Sequence, residues 1–78
     1  MTAFDPEALI AAIEHAGAAI NLVLYDDGSR AWSVGFGTAR ADDLPSMGGL
    51  SDEQVDALLE TLWQQGKCYY GGPRRHRA

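Results

Sequence analysis

A chain of 78 residues is the size of one domain, and a single core at that size seldom supplies more than about 3–5 kcal/mol. Its lone cysteine excludes an intrachain disulfide framework, no C-x-x-C or His/Cys cluster offers a structural zinc site, and no apolar run approaches the ~20 residues of a membrane span. Eleven acids stand against three bases before residue 74, a net of −8, and Arg74, Arg75 and Arg77 bring the total to −5, so an acidic body with a basic tail is set to meet basic surfaces rather than nucleic acid.

Phe4-Asp5-Pro6-Glu7 predicts a helix start: Asp5 caps, Pro6 suits the first helical position, and Glu7 complements the positive end of the dipole. Phe4 and Leu9 have the spacing of a hydrophobic staple. Leu9, Ile13 and Ala16 recur at helical spacing with Ile10 and Ala12 beside them, and Gly17 is the natural left-handed stop. His15, at the helix end with no Cys or second His nearby, is read as structural or solvated.

From Ala18 to Gly37 two runs rich in Val, Leu, Trp and Phe flank Asp26-Asp27-Gly28 and predict a β-hairpin. A two-residue turn would scatter large apolar groups over both faces. A three-residue loop with Gly28 left-handed pairs Tyr25 with Ser29 and Leu22 with Trp32. Ile20, Leu22, Leu24, Trp32, Val34 and Phe36 then share one face, and Asn21, Val23, Tyr25, Ser29, Ala31 and Ser33 the other. Gly35-Phe36-Gly37 lacks the later Gly, Lys and Ser/Thr of a phosphate loop, so its glycines are read as backbone room or a bend.

Thr38 to Gly49 has no sustained period. Thr38 to Ala41 can extend the second strand or join a third, and the remainder reads as loop, in which Asp42 and Asp43 beside Leu44 and Met47 form an acidic and apolar candidate contact. Ser51 and Gln54 then have capping-box spacing, and Leu50 and Val55 form a second staple. Val55, Leu58, Leu59, Leu62 and Trp63 follow at core spacing, and Gly66 ends the helix. Its other side holds Asp52, Glu53, Asp56 and Glu60, with Lys67 as the only base close by. Asp52/Asp56 and Asp56/Glu60 are like-charge i,i+4 pairs that each cost a few tenths of a kcal/mol. The dipole excuses Asp52 and Glu53 but not Asp56 and Glu60, which makes this ridge the leading candidate interaction surface.

Lys67-Cys68-Tyr69-Tyr70 predicts an edge strand or a segment packed on the sheet, with Tyr69 and Tyr70 available to a partner and Cys68, if exposed, to an intermolecular disulfide. Residues 1–73 are thus expected to form one compact domain. Arg74 to Ala78 is read as a disordered basic tail, a weak nucleic-acid signal with no basic, aromatic-interleaved surface behind it. No Ser/His/Asp or Cys/His set assembles from two histidines, and the acids are predicted to stand in solvent rather than in the enclosed settings that activate catalytic carboxylates, so neither an enzyme nor a cofactor or metal is expected.

The order is helix, hairpin, a short third strand and helix, an α+β domain with two helices on one face of a small antiparallel sheet. A double-stranded-RNA-binding domain has a related order, but Ser51-Asp52-Glu53 stands where that domain has a basic helix start. Trp32-Ser33-Val34-Gly35-Phe36-Gly37 followed by Gly49-Leu50-Ser51-Asp52-Glu53-Gln54-Val55-Asp56-Ala57-Leu58-Leu59 resembles small phage and mobile-element proteins over about residues 18 to 65. In size, acidity and lack of an active site the chain is similar to anti-CRISPR proteins directed at type I systems. That resemblance implies a cytoplasmic, noncatalytic inhibitor that blocks a basic nucleic-acid-binding surface of a CRISPR surveillance complex. Asp52, Glu53, Asp56 and Glu60 would supply charge, and Asp42, Asp43, Tyr69 and Tyr70 further contact. The alternatives are a small dimeric DNA-binding regulator using the basic tail, and a structural or immunity-like subunit that pairs through a strand edge.

Overall fold

The computed structural model describes residues 4–73. It is an α+β domain. Helix α1 (Pro6–His15) leads into strands β1 (Ala19–Tyr25) and β2 (Arg30–Gly35), helix α2 (Asp52–Gln64) and strand β3 (Cys68–Gly72). The predicted caps hold both helices. The amides of Glu7 and Ala8 donate to Asp5 Oδ1, and Gly17 leaves α1 at φ 100°. On α2, Gln54 N donates to Ser51 Oγ at 3.2 Å while Ser51 N donates to Gln54 Oε1 at 2.8 Å, a reciprocal box. Ser51→Ala is expected to lower the unfolding free energy by about 1 kcal/mol, read as a shift in the urea midpoint at unchanged slope.

The hairpin has the register that sorts its faces. Leu22 pairs with Trp32 and Ile20 with Val34, Tyr25 N donates to Ser29 O at 3.1 Å, and Gly28 sits at φ 84°. Ile20 and Leu22 meet Ile10 and Ile13 of α1 and Leu58, Leu59 and Leu62 of α2 in one buried cluster, so both helices cover this face.

Two expectations need correction. The sheet is mixed, not antiparallel: its order is β2-β1-β3, and β3 runs parallel to β1, pairing Cys68 with Leu22 and Tyr70 with Leu24. The crossover through α2 returns the chain to the same end of the sheet, which is what a parallel pair requires. Residues 38–41 do not add a strand either. Gly37 turns the chain at φ 56° after β2, and Ala41–Asp43 forms one 3-10 turn. With the strand ended at Gly35, Phe36 leaves the core face and is 50% exposed. Leu44 and Met47 pack back against the core.

The face away from the helices is not bare. Val23 is only 4% exposed there, because Gly71 on the neighbouring strand has no Cβ: one built at that position would fall 2.5 Å from Val23 Cγ1 and 2.9 Å from Tyr25 Cε1. The Val23 and Tyr25 side chains occupy the space that any other residue at 71 would claim.

Candidate partner-binding surface

The outer side of α2 is acidic along its length. Asp52, Asp56 and Glu60 recur at i, i+4 and i+8, about 12 Å end to end, with Glu53 beside them, and all four are exposed. Lys67, the base nearest in sequence, does not relieve them. Its Nζ lies 2.7 Å from Glu14 Oε2 of α1, so that charge is spent tying the two helices' ends together.

Trp63 was expected in the core and is instead 53% exposed. Ideal helical geometry puts it about 80° round from Val55, between Leu59 on the buried side and Asp56 on the acidic side. A residue on that boundary is buried only if the sheet reaches under it. Here Trp63 instead borders a pocket of about 250 Å³, open to solvent, lined by Leu22, Leu24 and Arg30 from the hairpin and Glu60 and Trp63 from α2. Arg30 and Glu60 contribute opposite charges to this cavity and form no ion pair with each other. Sequence reasoning passed over Trp63 and Arg30. The signal available was an aromatic residue three positions beyond the last acid of the ridge.

The remaining candidate residues are not gathered at this place. Asp42 and Asp43 are exposed on the 3-10 turn, and Asp43 Oδ2 accepts from Arg40 N within its own loop at 3.4 Å. Tyr69 and Tyr70 point to opposite faces of β3, as neighbours on a strand must. Tyr70, 66% exposed, shares the helix-covered face with Leu24, while Tyr69, 48% exposed, lies beside Val23 on the other. Cys68 is half-buried and packs against the core cluster. The tail from residue 74 lies outside the described residues.

Among the described residues no group of three or more His, Cys, Asp or Glu is placed to hold a metal ion, and no helix is long and apolar enough to cross a membrane. No protein-family model, curated protein or solved structure matches the chain.

Proposed function

We propose that the chain is a noncatalytic binding protein that engages a basic surface of a partner protein through the outer face of α2. The observation that carries this reading is the run of four exposed carboxylates, whose nearest base in sequence, Lys67, is paired with Glu14. Like charges held in a row weaken a helix, and contact with a basic surface turns that cost into attraction and faster encounter. Following the resemblance to anti-CRISPR proteins, the partner surface is a nucleic-acid-binding face of a type I CRISPR surveillance complex, and the protein inhibits by occupying it.

The test is a nuclease-treated pull-down from host extract with the intact chain and with Asp56→Lys/Glu60→Lys, followed by association rates for the retained complex. The double reversal is expected to slow association at least about tenfold, and raising salt is expected to weaken binding of the native chain. Retention unchanged by both the reversal and salt sinks the reading.

A further inference from the structure

The ridge attracts, but four carboxylates on one helix face do not discriminate between basic partners. The cavity at the ridge's end supplies what they lack. Leu24 and Trp63 give it an apolar wall over the fully buried Leu22, and Glu60 belongs to both features. Volume narrows the occupant. Sites for small-molecule ligands run from about 300 to 1,000 Å³, whereas a cavity of roughly 150 Å³ already admits benzene. At about 250 Å³ and open to solvent, this pocket is ample for one side chain projected from a partner's surface.

Charge narrows it further. Asp52, Glu53, Asp56 and Glu60 lead to the cavity along α2, and the turn acids Asp26 and Asp27 stand at the same end of the hairpin as Leu24 and Arg30. Arg30 is the one base in the lining. Its guanidinium offers donors to a visitor's backbone carbonyl without reversing the sign of the surroundings.

We propose that this cavity receives a single apolar side chain of Phe or Leu size, projected from a lysine- or arginine-rich segment of the partner that lies along α2. The inference rests on the proposed function and adds its anchor: the ridge sets the encounter rate, and the Trp63 cavity sets the residence time. Half-exposed Trp63 is the aromatic wall such an anchor packs against.

The experiment titrates the full chain with three short synthetic peptides, followed by calorimetry and by amide NMR shifts. One is lysine-rich with a central Phe, the second replaces that Phe with Ala, and the third is glutamate-rich with the Phe retained. The first is expected to bind about tenfold tighter than the second, with shifts at Leu24, Arg30 and Trp63, and Trp63→Ala is expected to remove that advantage. Equal affinity of the two lysine-rich peptides overturns the anchor; if Asp56→Lys/Glu60→Lys then abolishes both, the acidic-face reading survives without it. Binding of the glutamate-rich peptide as tight as the first overturns the partner chemistry, and no binding by either lysine-rich peptide overturns both readings. Concentration-dependent shifts at the same amides without peptide would seat a second copy there and likewise overturn the proposal. The peptide comparison uses the native chain, so it stands even if Trp63→Ala weakens folding.

Discussion

Leu58→Ala is expected to leave the chain largely unfolded in dilute buffer, with helical circular dichroism lost and no cooperative urea transition. Leu58 is 0% exposed and sits where both helices meet the sheet, in one cluster with Ile10, Ile13, Ile20, Leu22 and Leu62. Truncating a buried leucine costs about 2–5 kcal/mol, the lost transfer energy plus the cavity left behind. A domain of this size has about 3–5 kcal/mol in total, so one side chain is most of the margin. Relaxation offers little escape, since the neighbours of Leu58 are themselves fully buried and come from α1, β1 and α2 itself. Trp63→Ala on the same helix is the control and should unfold cooperatively, because half of that side chain is already in water. A Leu58→Ala midpoint close to that of Trp63→Ala would mean that the two-helix cluster does not hold the fold.

What was legible in the chain was local. Asp5, Gly17, Ser51, Gln54 and Gly66 mark the helix ends because capping is decided within four residues, and the Ser51–Gln54 box forms with the partners that spacing assigns. The hairpin register was legible for a different reason: a slip of one residue would turn Ile20, Leu22 and Trp32 away from the helices, so burial leaves one solution. The parallel pairing of β3 was not legible. Cys68-Tyr69-Tyr70 reads as a strand, but its partner and direction depend on where α2 returns the chain, which no short pattern encodes. The acidic ridge was visible because it lies on one element. The cavity is formed by side chains from β1, β2 and α2, and Trp63 at the boundary of the helix's apolar stripe fits the core pattern equally well whether or not the sheet reaches it.

Gly37→Ala is expected to cost at least about 2 kcal/mol, and Gly35→Ala, two positions away in the same Gly-Phe-Gly stretch, much less. Gly37 has φ 56°, a conformation that costs an L-residue about 1–2 kcal/mol by itself. A Cβ there would also stand 2.5 Å from the carbonyl oxygen of Gly17, a backbone atom that has no rotamer through which to move aside. Gly17 is constrained from its own side. Its φ is 100°, a Cβ would run into Thr38 Oγ1, and its carbonyl accepts from Thr38 N at 3.2 Å. The end of α1 and the exit of β2 therefore cross backbone to backbone, and the crossing closes only because both residues lack side chains. Gly35 lies in the strand, has no positive φ, and meets nothing within 4 Å. Adding a methyl group there restricts the unfolded chain more than it disturbs the folded one, so the change should be small in either direction. Since the first substitution already separates the two backbones, Gly17→Ala combined with Gly37→Ala should cost less than the sum of the two, a coupling that urea titration of all three variants measures. Equal losses for Gly35→Ala and Gly37→Ala would show that this crossing does not fasten α1 to the sheet.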